Sequence, residues 1–225
     1  MDKAEQRRRD AACCIHSSGK FIVFEGLDGS GQSTQAGLLK EWMEKQGLAV
    51  YLTKEPTAGP VGGLIRLALG RRLSFSESTR DNDAIMALLF AADRMDHLAT
   101  DIIPKLEQGV HVICDRYYLS TFAYQSRSMD LPWLRALHAH CIRPDLMILL
   151  DVPPRVCCQR IAEHRWHVEI YEQEAILEGV RQRYDEIAAQ LRAEGMDIRT
   201  LPGDGGRGIA DVHAAVIAQV QGFLK

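Results

Sequence analysis

The chain has no apolar run approaching the ~20 residues that span a bilayer, no Cys-x-x-Cys spacing and no excess of positive charge. The first absence removes a membrane partner. The second removes zinc and disulfide frameworks: Cys13, Cys14, Cys114, Cys141, Cys157 and Cys158 include two adjacent pairs but neither pattern, so reduced structural thiols are expected. The third, a net charge of -3, argues against a protein that lives on nucleic acid, so basic groups that matter should be local and aimed at small phosphates. Residues 1–19 are polar, with Arg7, Arg8 and Arg9 but no apolar h-region, and are expected to form a flexible tail without a signal peptide. A cytoplasmic location is expected. With 46% hydrophobic and 25% charged residues, residues 20–225 should fold as one domain around a continuous core.

What the chain does have is a strand-like run, Phe21-Ile22-Val23-Phe24-Glu25, that stops at Gly26-Leu27-Asp28-Gly29-Ser30-Gly31-Gln32-Ser33-Thr34. A helical pattern follows, with Leu38, Leu39, Trp42 and Met43 on one face and Gly47 closing it. Gly26, Gly29 and Gly31 can adopt backbone angles that turn successive N–H groups toward a common centre. The helix beginning near Gln32 adds its positive dipole end. Such a nest binds phosphate. It matches the Walker A pattern except that Gln32 stands where that pattern has lysine. Ser33 is placed to ligate Mg²⁺ beside the β- and γ-phosphates, and Thr34 to cap the helix or contact phosphate.

Further along, Ala49–Thr53 reads as a second strand and Lys54–Pro60 as a loop, followed by a short helix with Val61, Leu64, Ile65, Leu67 and Leu69. Asp81–Gln108 reads as a long helix capped by Asp81 or Asp83, with Ile85, Leu88, Leu89, Ala92, Met95 and Leu98 as its apolar face and Pro104 kinking it or starting its last segment. That face is wider than one sheet contact needs, so part of it is read as a dimer interface, with burial inside the monomer as the alternative. Val110–Cys114 and Leu146–Leu150 are apolar runs of the kind found in parallel strands covered on both faces. Tyr171–Glu194 reads as a helix, Asp197–Leu201 as an edge strand, and a terminal helix starts at Ile209. The expected architecture is α/β, a five-stranded, mainly parallel sheet with helices on both faces. Ligands bind beyond the carboxyl ends of such strands. Gly26–Ser33, Lys54, Glu55, Asp115, Arg116 and Asp151 are therefore expected around one crevice.

Asp115-Arg116 supplies a carboxylate near a metal and a guanidinium fork for a phosphate. Arg94 lies mid-helix, where a surface position is the plain alternative. Arg155, Arg160 and Arg165, followed by Glu169 and Glu172, fit an arginine-bearing lid that neutralises a transferring phosphoryl group, or else a solvated helix and loop. The chemistry alone reads as phosphoryl transfer to a small acceptor.

In order, Phe24–Gly31, Lys54-Glu55-Pro56, Phe90–Arg94, Asp115–Thr121 with Ala123-Tyr124-Gln125, and Leu150-Asp151-Val152 resemble the motif set of thymidylate kinases. The resemblance implies the three-layer P-loop nucleoside-monophosphate-kinase fold, a mobile lid around 155–172, and transfer of the γ-phosphoryl of ATP to dTMP with Mg²⁺, usually by a homodimer. It implies ATP binding by Gly26, Leu27, Asp28, Gly29, Ser30, Gly31, Gln32, Ser33 and Thr34. Asp28 and Asp115 would join Ser33 of the loop reading in holding the metal; Asp28, Asp115 and Arg116 would serve catalysis, with Arg160 and Arg165, on the lid reading, supplying the charge that Gln32 lacks. It implies acceptor binding by Lys54, Glu55, Arg94, Arg116, Ser120, Thr121 and Tyr124, with Arg116 on the dTMP phosphate, Arg94 near the thymine edge, and Tyr124 where a 2′-hydroxyl would have to fit. The chain departs from the family's usual pattern at Gln32 (normally Lys), at Lys54 (usually Arg) and at Glu169–Glu172. A kinase for another nucleotide or deoxynucleoside and a catalytically impaired pseudokinase are the competing readings.

Overall fold

The computed structural model describes residues 19–164, 173–203 and 208–224. The expected tail, apart from Gly19, and the lid segment 165–172 with Arg165, Glu169 and Glu172 lie outside the described residues. Five strands form the sheet: β1 (Phe21–Gly26), β2 (Val50–Lys54), β3 (His111–Asp115), β4 (Leu146–Asp151) and β5 (Ile198–Pro202). Their order is β2-β3-β1-β4-β5 and every pairing is parallel.

Why the runs around Val23, Ile113 and Ile148 are apolar throughout is visible in where alternate residues go. Phe21, Val23, Val112, Cys114, Met147 and Leu149 belong to one buried cluster, whereas Ile22, Phe24, Ile113, Leu146, Ile148 and Leu150 belong to another. Successive strand side chains point to opposite faces, and both faces are covered. One cover is α1 (Gln32–Lys45), through Ala36, Leu39 and Met43, with the terminal helix contributing Val212, Val216 and Val220.

After β2 follow α2 (Pro60–Leu69), α3 (Thr79–His97), a π-helical turn (Leu98–Ile102) and α4 (Ile103–Glu107). Beyond β3 come α5 (Tyr118–Gln125) and α6 (Leu131–Leu137). The chain then adds α7 (Pro154–His164), α8 (Glu174–Ala193) and α9 (Ile209–Phe223). Leu119, Phe122 and Ala123 of α5 and Leu177, Val180, Tyr184 and Ile187 of α8 cover the second face.

The long-helix expectation needs one correction, at its start. Its cap is Ser78, whose side chain accepts from the Asp81 amide, so the helix starts before either predicted cap. A π turn then divides it, and Pro104 begins its last segment, one of the two expected outcomes, in the first turn of α4, where the missing N–H costs nothing. Finally, Leu88 and Met95 are 48% and 40% exposed, and Ala92 is exposed as well. The buried side of α3 carries Met86, Ala87, Ala91, Asp93, Arg94 and His97.

Register brings the carboxyl ends together: Asp115 stands opposite both Phe24 and Lys54. Gly26 pairs with Leu150 on the other side.

Candidate active site

The loop between β1 and α1 is shaped by its glycines. Gly29 and Gly31 have φ of 81° and 95°, conformations that L side chains rarely adopt. A Cβ on Gly29 would also stand 2.6 Å from the Cys157 carbonyl oxygen. Within the nest, Gln32 is buried, and its Nε2 has no hydrogen-bond partner; the buried Ser30 Oγ is in the same condition. Buried donors without partners cost about 1–3 kcal/mol each, which a phosphate oxygen would relieve.

At the end of β3, the Ser33 hydroxyl donates to Asp115 Oδ2. Asp115 Oδ1 is buried without a partner. A hydroxyl and a half-satisfied carboxylate are the oxygen donors that a hard divalent cation takes, so the residues present fit Mg²⁺. Asp28 is differently occupied. Its Oδ1 accepts from Arg116 Nη2 at 2.8 Å and its Oδ2 from the Tyr124 hydroxyl at 2.8 Å. Burial first, and then the Asp28 charge, push the Tyr124 phenol well above its ordinary pKa, so it stays a donor.

Arg116 is held by more than Asp28. Its Nη1 donates to the Gly26 carbonyl at 3.1 Å and to Ser120 Oγ at 3.2 Å. The residue sits at φ 74°, a left-handed conformation costing of order 1–3 kcal/mol outside glycine. Such strain concentrates where a side chain must be aimed.

Two clefts flank this group. One, of about 220 Å³, is lined by Lys54, Glu55, Arg66, Phe90, Arg94, Thr121, Tyr124 and Gln125 among others; the second, of about 580 Å³, runs over Gly29–Gln35, Arg160, Gly203 and Ile209. Asp28, Ser33, Asp115 and Arg116 line both. The clefts meet there.

In the smaller cleft Arg94 is only 1% exposed, which corrects the surface alternative. Its Nε and Nη2 grip Glu55 Oε2 at 2.7 and 2.6 Å, its Nη groups reach Thr121 Oγ1 at 3.3 Å, and its guanidinium lies 5.1 Å from the centre of the Tyr117 ring. Glu55 Oε1 takes the His97 Nδ1 hydrogen at 3.1 Å, and His97 Nε2 lies 2.7 Å from Thr53 Oγ1. Glu55, His97 and Cys114 offer ligand atoms within 4.8 Å of one another, but Glu55 is committed to Arg94, and that guanidinium opposes a second cation. Asp93 stays out of the cleft, accepting from the Thr57 amide and hydroxyl at 2.8 and 2.6 Å and so holding the loop after β2.

Asp151 does not join the crevice. Arg181 of α8 takes both its oxygens, at 2.8 and 3.1 Å. Arg160 does reach the glycine loop, donating to the carbonyls of Gly29 and Ser30 at 3.4 and 3.5 Å and of Gly203 at 3.2 Å.

Three residues were missed in the sequence. Glu25 is fully buried and accepts from the Tyr117 amide at 2.9 Å, from Ser120 and from the Tyr184 hydroxyl at 3.2 Å. Burial pushes its carboxyl up to about 7 against the opposing Ser120 bond and the Arg116 and Arg94 charges. Its signal was one acid inside an otherwise apolar buried run. Gln125 is 2% exposed, with both amide atoms unpartnered, and Arg66 lines the same cleft while bonding to the Thr57 carbonyl.

A glycine nest on the central strand of an all-parallel sheet, with a cleft on either side of one carboxylate–arginine group, defines a P-loop nucleoside-monophosphate kinase. The family model described as Thymidylate kinase matches residues 24–200, and the chain belongs to that family. A Pyrococcus horikoshii protein named "Probable thymidylate kinase" is 41% identical over 208 residues, covering 90% of this chain and 96% of its own. A Thermococcus gammatolerans protein of the same name is 40% identical over 206 residues, with 90% and 96% covered. One from Pyrococcus abyssi reaches 50% over 143 residues, 63% of this chain and 69% of its own.

Proposed function

We propose that the chain transfers the γ-phosphoryl of ATP to dTMP, giving dTDP for dTTP synthesis in the cytoplasm. The observation that carries this reading is the meeting of two clefts at Asp28, Ser33, Asp115 and Arg116. ATP occupies the larger cleft with its phosphates over Gly26–Thr34, where Gln32 Nε2 donates to a β- or γ-oxygen. Ser33 and Asp115 would hold Mg²⁺, which would neutralise charge on the phosphate oxygens when bound. Asp28 serves Arg116 and Tyr124 before any metal.

dTMP occupies the smaller cleft. Arg116 grips its phosphate and aligns it with the γ-phosphorus; Lys54, at the cleft's rim, adds charge without a fork. Arg94, fixed by Glu55 and Thr121, and the unpartnered Gln125 amide face the base. Tyr124, tied to Asp28, takes the space of a 2′-hydroxyl and selects deoxyribose by exclusion. Arg160, with Arg165 on a lid around 155–172, supplies positive charge that Gln32 lacks. A homodimer is supported by the exposed Leu64 and Leu67 of α2 and Leu88 and Met95 of α3, two helices that pack on one another through Ile65, Ala68 and Met86.

A coupled assay with ATP, Mg²⁺ and a panel of dTMP, dUMP, UMP and the purine monophosphates tests this. dTMP is expected to lead, UMP to fall far behind, and dUMP to trail by the 10–200-fold that about one methyl in an apolar pocket supplies. Turnover of UMP as fast as dTMP contradicts the reading.

A further inference from the structure

We propose that Glu25 is the positioning residue that seats the acceptor-side helix on the phosphate-loop strand and, through Ser120, sets the aim of Arg116. Glu25 shares strand parity with Phe21 and Val23, so its side chain points at α5 and α8 rather than at α1. Helix α5 has no side-chain cap of its own at Tyr117. Glu25 Oε1 supplies one from a different strand, accepting the Tyr117 amide at 2.9 Å and the Ser120 amide at 3.3 Å. Its Oε2 accepts the hydroxyls of Ser120 and Tyr184. Four donors therefore converge on one carboxylate, the form with enough lone pairs to take them all.

The consequence reaches the reacting groups by two short routes. Ser120 Oγ, fixed by Glu25, accepts Arg116 Nη1, and that same nitrogen bonds the carbonyl of Gly26, the residue next to Glu25. Thr121, Tyr124 and Gln125 ride on the helix that Glu25 caps. Glu25 thus registers the acceptor cleft to the phosphate-loop strand from inside the core, where the Asp28 contacts to Tyr124 and Arg116 tie the same parts together at the surface of the cleft. Arg116, Arg94, Cys114, Tyr118 and Tyr184 are the titratable groups whose charge acts on Glu25 or feels it. Burial brings its ionisation to about 7, so the fully occupied arrangement is the high-pH one.

This inference rests on the dTMP kinase reading. The test compares the full-length wild type with Glu25→Gln and Glu25→Ala, measuring KM for dTMP and for ATP and the pH profile of kcat/KM from about 5.5 to 9. Glu25→Ala is expected to raise the dTMP KM by about tenfold or more with the ATP KM little changed. Glu25→Gln, neutral like the protonated acid, keeps an oxygen for the two amides but turns a donor on the two hydroxyls, so it should fall between Glu25→Ala and the wild type, at the wild type's low-pH level. The wild type should lose dTMP efficiency as pH falls below about 7. Glu25→Gln should keep only the titration of the acceptor's own phosphate near 6, common to both proteins. Should Glu25→Ala fail to fold, the pH comparison of wild type and Glu25→Gln decides. Equal changes in both KM values, or the same pH profile in Glu25→Gln and wild type, overturn the proposal. If the wild type does not phosphorylate dTMP, the functional reading fails instead, and calorimetric dTMP binding by the wild type and Glu25→Gln across the same pH range tests Glu25 alone.

Discussion

In the proposed reaction Arg116 is the side chain that would grip the acceptor phosphate, and its left-handed backbone, its carbonyl and hydroxyl partners and its Asp28 pair all hold one orientation. Arg116→Ala should lower dTMP efficiency by about 10- to 150-fold, the loss of a charge-assisted contact of roughly 1.5–3 kcal/mol. ATP affinity by titration should hardly move, and wild-type efficiency in this variant would contradict the assignment. At Gln32 the missing charge has to come from elsewhere, and Arg160 already rests on the loop's outer carbonyls. Arg160→Ala should cost on the order of 10²-fold or more in kcat, and Gln32→Lys should partly restore it. If Arg160→Ala alone leaves kcat intact, Arg160 does not stand in for the lysine. Gly26–Thr34 and Asp115-Arg116 were legible because fixed spacing at a strand end carries their meaning. Glu25 and Gln125 were not, since a buried carboxyl and two unpartnered amide atoms become visible only once the neighbours are placed.

Among the elements, the three central strands were readable from their continuous apolar runs, and parallel pairing with both faces covered explains why no alternation appears in them, whereas β2 and β5 at the edges carry mixed sequences. Helix α3 shows where periodicity stops. Its sequence contains an apolar stripe, yet Arg94 and His97 must reach Glu55 and Asp93 must reach Thr57, so a polar stripe goes inward and Leu88, Ala92 and Met95 face out. Period 3.6 gives the faces but not which one is buried. The proposed homodimer would cover the large apolar residues exposed on α2 and α3. The wild type should sediment as a dimer and Leu88→Glu with Met95→Glu as a monomer. A monomeric wild type at micromolar concentration would remove the homodimer.

For the molecule as a whole, the sheet places a phosphate nest on its central strand, with a nucleotide-sized cleft on each side and four shared side chains between them. That layout suits direct passage of a phosphoryl group from one ligand to the other, and Gln32 is the one departure from the Walker A pattern inside the nest. The most direct measurement follows the label from γ-³²P-ATP with Mg²⁺ and dTMP in the wild-type protein. Labelled dTDP and unlabelled ADP in equal amounts are predicted. ATP that binds while no label reaches dTMP or any other nucleoside monophosphate, with activity appearing only in Gln32→Lys, would contradict it.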